Sequence, residues 1–404
     1  MPAVVIDGAK GVGKTRTATR LAASTYSLVN RVQRATVEAA PELVAGAVPP
    51  VLLDEWQKLP WLWDYVKTWV DEAPTPGRFL LTGSATPRGV SLHSGAGRIV
   101  RVRMRPLSLA ERQLTEPTVS LSALLDGAVE RVAGASSVGL EGYVHEIVAS
   151  GFPALRPMRP RARQVALDGY VAAIVEREFA EQGLLVRKPD VLMQWLRAYA
   201  AATGSTASYS SILDAATPGE AAKPAASTTL VYRDILTSLW MIDAVPAWLP
   251  AFSQFGALGK TPKHYLADPA LAARLLRVTE DELLRGTTAD PLGPQHGTVL
   301  GRLFEALVAL SLQTYASVIG ANLYHLRTSR GEHEVDFIVE RDDRVVAIEV
   351  KLAQVADTKD VLHLAWLATK WPGDRLTRVV VTTGPQAYSR PDGVHVVPAA
   401  LLGP

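Results

Sequence analysis

The sequence predicts an α/β protein of two or three domains, with a parallel sheet at the amino end, a helical middle and a second α/β unit at the carboxyl end. Three observations lead there. An apolar strand, Ala3-Val4-Val5-Ile6, runs into a GxxxxGKT turn, Gly8-Ala9-Lys10-Gly11-Val12-Gly13-Lys14-Thr15. A second apolar run, Val51-Leu52-Leu53, ends in two carboxylates, Asp54 and Glu55. Near the far end, two alternating strands carry Glu334, Asp336, Glu349 and Lys351 on their polar faces.

A glycine-rich turn between a buried strand and a helix aims successive backbone N–H groups at phosphate oxygens, helped by the positive end of the helix. Lys14 is expected to reach the β- and γ-phosphates, and the Thr15 hydroxyl to take one Mg2+ position. The nucleotide-binding set is therefore Gly8, Ala9, Lys10, Gly11, Val12, Gly13, Lys14, Thr15 and the adjoining Arg16, joined by Asp54. Asp54, at the end of its strand, is placed to hold Mg2+ through water. Glu55 beside it is expected to polarise the attacking water of NTP hydrolysis.

A third strand, Arg78–Ser84, again ends in small polar residues. Ligands of a parallel sheet sit at the carboxyl ends of its strands. Thr82 or Ser84 is thus either a sensor of the γ-phosphate or the cap of the next turn. Arg101, Arg103 and Arg105 alternate and would share one strand face. Arg98 precedes them after a Ser-Gly-Ala-Gly stretch (residues 94–97). It acts on the γ-phosphate of its own or a neighbouring subunit, or it belongs to a solvated basic edge. Trp56, Trp61, Trp63 and Trp69 crowd one stretch, where Leu62, Tyr65, Val66, Trp69 and Val70 fit one helical face, so most of it reads as core.

Composition bounds the chemistry. With 404 residues, the chain is long enough for several cores. With 42 Lys+Arg against 40 Asp+Glu, it has no global basic field, so a nucleic acid would need local patches. The absence of cysteine excludes disulfides, thiolate zinc sites and a cysteine nucleophile. The first apolar segment is the strand of the phosphate loop, so no signal peptide is expected. No run of about 18 apolar residues suggests a membrane span. A cytoplasmic location follows as an expectation.

The GAKGVGKT loop, LLDEWQKLPWLWDYVKTWVD, FLLTGSA, GAGRIVRVRMRPLSLAE and SGFPALR closely resemble a widespread prokaryotic group of AAA-type P-loop ATPases with a carboxy-terminal domain of unknown function. The resemblance implies that Lys14 and Thr15 bind nucleotide, that Asp54 and Glu55 form the acidic motif, and that Ser84 is sensor-like. Arg98 matches an arginine of less defined role. Relatives usually carry a helical stretch ahead of the loop, where seven residues precede Gly8 here.

The chain divides into residues 1–115, a helical region 116–290 and a domain 291–404. In the middle, residues 155–163 hold four arginines, either a phosphate-facing cluster or a solvated run. A helix from Tyr209 to Ala216, a Pro/Gly/Ala connection, a helix capped by Ser227, and two short strands around a Gly-rich tip give a winged-helix outline. Its recognition helix would offer Thr228, Thr229, Tyr232 and Arg233, only one of them a cation. Base-reading helices usually bring more Arg, Lys, Asn or Gln, which favours a packing or lid module.

In the last domain, a helix from Thr298 to Tyr315 precedes strands 322–328, 334–340 and 344–351, a helix near 359–370 and a strand 378–383. A hairpin turning on Asp342-Asp343 sets Asp336 opposite Glu349 and Glu334 opposite Lys351, with opposed Cβ atoms about 5 Å apart. Two carboxylates so placed form a divalent-metal site. A slip of one residue would destroy it. The pattern resembles the D-x(n)-E-x-K arrangement of the restriction-endonuclease-like αβββαβ fold. The resemblance implies Glu305, Asp336 and Glu349 as metal ligands, Lys351 as the group orienting the attacking water, and Lys359 as an accessory.

Together these features predict an enzyme that binds and hydrolyses ATP with Mg2+ and releases ADP. Its nuclease-like domain would act on DNA or RNA, with or without cleavage. The alternative is a regulatory ATPase whose distal domains bind a protein partner around an inert nuclease fold. A P-loop kinase fits less well, because its second acidic strand would position an acceptor instead of ending in Asp-Glu. No arginine identifies itself as a donor to a neighbour's site, so the oligomeric state stays open.

Overall fold

The computed structural model describes residues 1–85, 97–186, 188–217, 226–250, 258–286, 298–371 and 373–404. The sequence features at Ser94–Ala96, most of the Pro/Gly/Ala connection after Ala216 and most of the Gly-rich tip lie outside the described residues.

Five strands make the first sheet: β1 (Ala3–Asp7), β2 (Ser24–Ser27), β3 (Val51–Asp54), β4 (Phe79–Gly83) and β5 (Ile99–Arg103). They pair in the order β2-β3-β4-β1-β5, all parallel. β1 lies inside the sheet between β4 and β5, and it is apolar on both faces, as a covered parallel strand must be. β2 reads Ser-Thr-Tyr-Ser and carries no apolar signal; its place at an edge explains why it escaped the sequence reading. Trp56, Leu62, Trp63, Val66, Trp69 and Val70 pack on one face, with the Trp56 and Trp63 rings 5.1 Å apart. Tyr65, expected on that face, is exposed.

The middle region is helical. Helices Leu140–Ala149, Pro160–Ala173, Pro189–Ala201, Tyr209–Ala216, Ala226–Ser238 and Pro269–Leu275 are its main elements. The second of these continues as a π-helical turn, Ile174–Glu178. In place of full strands, two backbone segments bridge antiparallel at Ile242/Leu266 and Val245/Lys263. On the proposed recognition helix, Thr229 and Tyr232 are buried, and Arg233 pairs with Asp234 while covering the Tyr209 ring. The arginine cluster also turns inward in part. Arg156 grips Glu146 at 2.8 Å, and Arg163 donates to the carbonyls of Leu155, Arg156 and Met158. Only Arg159 and Arg161 of the four are exposed.

The second sheet contains β7 (Gly134–Ala135), β8 (Asn322–Arg327), β9 (Glu334–Arg341), β10 (Arg344–Val350), β11 (Leu376–Thr382), β12 (Gln386–Ser389) and β13 (Val394–Pro398), ordered β7-β12-β13-β11-β10-β9-β8. β9 and β10 pair antiparallel from Arg341/Arg344 to Phe337/Ile348, the register anticipated from a turn on Asp342-Asp343. β6 (Val119–Ser120) pairs with β14 (Leu402–Gly403), and β7 joins β12, so this part of the helical region 116–290 is built into the carboxy-terminal domain. Val299–Val318 forms the long helix against the sheet, with the Thr298 hydroxyl accepting from the Gly301 N–H at its start.

The three parts meet on one carboxylate. Asp243, on the bridged ribbon, is buried. It accepts from Arg103 and Arg105 at 2.7 Å each, and the Arg103 guanidinium lies 4.8 Å from the Trp240 ring centre. Gln313 of the long helix donates to the Asp243 carbonyl at 3.0 Å and accepts from Arg105 at 3.0 Å. Burial opposes ionisation of Asp243, but the two guanidinium groups outweigh it and hold its pKa below the usual carboxylate range. Arg103 and Arg105 are thus a clamp between domains, while Arg101 pairs with Asp7 inside the first sheet. Removing one partner of such a buried pair strands the other charge, at a cost of about 3–5 kcal/mol. Asp243→Ala should lower the unfolding free energy by that order in denaturant titration, while Asp281→Ala, at an exposed pair, should leave it nearly unchanged.

Candidate functional site

The phosphate loop is held by backbone constraints. Gly8 has φ +154, and a Cβ there would stand 2.1 Å from the Met104 carbonyl oxygen, so only glycine lets the strand leave β1 this close to β5. Gly13, at φ +105, turns the chain into the helix Lys14–Leu21. The Lys14 ammonium is buried and donates to the carbonyls of Gly8 at 2.7 Å and Ala9 at 2.8 Å. Burial pushes its pKa down to about 8, against the pull of Glu55, Asp7 and Asp54. Arg16 projects outward, exposed.

At the adjoining strand ends, the Thr15 and Thr82 hydroxyls donate to the same Asp54 oxygen, at 2.6 and 2.7 Å. Ser84 donates to the Glu55 carboxylate at 2.8 Å, and Gln57 donates to the same carboxylate oxygen. The parallel order of β3, β4 and β1 places these groups together at the carboxyl edge of the sheet. Gln57 was missed by the sequence reading. Its only signal was a polar residue two positions after the acidic pair. Beside it, Asp7 Oδ1, Trp56 Nε1 and Gln57 Oε1 are buried without partners among the described residues. All three lie 2.9–3.3 Å from where a Cβ on Gly83 would stand, so Gly83 keeps this polar space open.

The middle region covers the loop. Glu178, on the π turn, pairs with Lys10; Tyr170 donates to the Lys10 carbonyl at 3.1 Å; Lys58 pairs with Glu181 at 3.1 Å. Phe152 and Pro153 of the SGFPALR segment lie against Gly11 and Gly13. Single π turns inside helices frequently mark functional sites.

Arg98 requires a correction. It sits just before Ile99, which pairs with Ala3 at the start of β1, and it pairs with Asp71. That is the opposite edge of the sheet from Gly8, so Arg98 does not act on a phosphate bound at the loop of its own chain.

The second cluster differs from expectation in its cation. Asp336 accepts from the Val350 N–H at 2.9 Å, and Lys351 donates to Glu349 at 2.7 Å, close to the predicted neighbourhood. Between Glu305 and Asp336, however, lies the ammonium of Lys263, 2.8 Å from each and 3.4 Å from Glu334. Tyr265 donates to Glu305 from the same segment. Burial works against the charge of Lys263, yet Asp336 and Glu305 hold its pKa well above the usual range. Burial raises Glu305 to about 7 and Glu349 to about 8, while Lys263 and Lys351 keep Asp336 below the usual carboxylate range against its own burial. Asp336 therefore carries the charge that Lys263 answers.

The cluster opens on a cleft of about 960 Å³ lined in part by Arg302, Arg327, His325 and Lys351. Among the described residues, no three His, Asp or Glu side chains are arranged to hold a metal. The expected ligand set Glu305, Asp336 and Glu349 is corrected accordingly: the first two surround an ammonium, and Glu349 faces Lys351. Lys359, expected nearby, is exposed and pairs with Asp357. Lys263 lies far upstream in another region, in Thr261-Pro262-Lys263-His264, and no local pattern distinguished it.

The parallel sheet and the glycine-rich turn after β1 form a P-loop domain. Residues 1–113 match the AAA domain family model; residues 140–282 and 300–402 match two domains of unknown function, DUF8612 and DUF4143. Uncharacterized proteins of Mycobacterium tuberculosis and Mycobacterium bovis are each 28% identical over 396 residues, covering 92% of this chain and 77% of theirs. The Walker-type ATPase of Pyrococcus abyssi aligns with a TM-score of 0.33 at 15% identity, over 68% of this chain and 91% of that one. No helix among the described residues is long and apolar enough to cross a membrane.

The depressed Lys14 gives a pH prediction. A bound triphosphate favours the charged ammonium, so the complex holds more protons than this structure above pH about 8. ATP affinity should weaken as pH rises through that value, with proton uptake on binding. Calorimetry just above that pH, in two buffers of different ionisation enthalpy, measures the uptake. An affinity indifferent to pH there would contradict it.

Proposed function

We propose that this chain is a Mg2+-dependent ATPase whose turnover controls how the middle region sits on the phosphate loop, and through it a binding surface for a macromolecular partner. The observation that carries the reading is that Glu178 holds Lys10, a residue of the loop itself. The phosphates of ATP compete with Glu178 for that ammonium, so binding and release are felt directly by the middle region. Lys14 would bind the β- and γ-phosphates. The Thr15 and Asp54 oxygens are the hard donors that Mg2+ takes, and the ion would neutralise charge on the phosphates. Glu55 would accept a proton from the attacking water, held in place by Ser84 and Gln57.

A second reading, in which the carboxy-terminal domain acts on DNA or RNA, draws on the neighbourhood of Asp336, Glu349 and Lys351 at the hairpin. Metal-dependent cleavage of plasmid or RNA, lost in Asp336→Ala, would favour it.

Glu55→Gln should keep ATP affinity and lose activity by about 10²–10⁴-fold, the range for a removed proton acceptor. Lys14→Ala should lose nucleotide binding. Gln57→Leu should lower turnover with little change in affinity. A phosphate-release assay alongside a fluorescent-nucleotide titration separates these effects, and full turnover in Glu55→Gln would remove Glu55 from its role.

A further inference from the structure

We infer that Lys263 is a tethered cation that takes the place of a divalent metal at Glu305 and Asp336, making this cluster a latch between the middle region and the carboxy-terminal domain. The Lys263 side chain is 1% exposed, and its ammonium meets two carboxylate oxygens at 2.8 Å and a third at 3.4 Å. A buried ammonium with no acceptor is costly, and so are buried carboxylates with no cation. Here each group answers the other.

The lysine is also fixed from behind. Its backbone exchanges two hydrogen bonds of 2.9 Å with Val245. The neighbouring His264 ring nitrogen lies 2.8 Å from the Ala207 carbonyl, and Tyr265 donates to Glu305. The backbone that carries the ammonium is thus held on both sides of Lys263. A metal ion entering here must sit about 2.0–2.6 Å from its oxygens, in the volume that Nζ already fills. Two acidic side chains face one cation here, and the chain supplies that positive charge itself.

The test is Mn2+ titration of the full-length, nucleotide-free protein, by calorimetry and by thermal unfolding, with Asp336→Asn separating this cluster from the phosphate loop. Wild type and Asp336→Asn should bind Mn2+ alike. Lys263→Ala should bind one Mn2+ more than wild type. Asp336→Asn added to it should abolish the gain. Mn2+ should raise the unfolding temperature of Lys263→Ala but not of wild type. Lys263→Met, similar in length and uncharged, serves if the alanine variant folds poorly. Wild type that binds one more Mn2+ than Asp336→Asn would overturn the inference, and this comparison needs no lysine variant. A folded Lys263→Ala or Lys263→Met that gains no Asp336-dependent site would overturn it equally.

Discussion

A single buried carboxylate ties the three parts of the molecule at one point. Asp243 takes one guanidinium on each oxygen, and both arginines leave the end of the central parallel sheet. Its carbonyl takes the Gln313 amide from the long helix of the last domain. Each guanidinium keeps one carboxylate oxygen, and removing Asp243 would leave two largely buried cations facing each other. The clamp lies close to the nucleotide site, because Arg103 is the lateral neighbour of Asp7, the residue before Gly8. Leu109 and Ala110 extend the seam, donating to Ser311 and Tyr315 of the same helix.

Much of this was legible in the sequence, for reasons of periodicity. Strands β1, β3 and β4 announce themselves as short apolar runs ending in small or acidic residues, and that ending is the chemistry. The β9–β10 register followed from the turn on Asp342-Asp343 and puts Phe337 and Val339 in one core with Val346 and Ile348, while Val335 packs with Ile338, Val345 and Ala347 in the other. What periodicity does not encode is contact between distant segments. Arg101, Arg103 and Arg105 share a strand face as expected, but nothing local says that Asp7 and Asp243 meet them. Lys263 and Glu178 were invisible for the same reason. Each is an ordinary charged residue whose role is set by what another region brings to it.

The two charged sites differ in how they treat their cations. At the loop, Lys14 rests on two carbonyls, weak neutral acceptors that a triphosphate can outbid electrostatically. At the distal cluster, Lys263 rests on the charged Asp336 carboxylate beneath the surface and on Glu305, which Tyr265 reinforces from the same stretch of chain. The first arrangement is poised to exchange partners; the second is built to keep them.

The bridged ribbon carries both Asp243 and Lys263. Asp243 donates its N–H to the Tyr265 carbonyl, and Val245 pairs with Lys263, so the two charged residues ride on one short crossbeam. One end of that beam is loaded by the arginines of the ATPase sheet, the other by the acids of the distal domain. Only a short run of paired backbone separates the two loads.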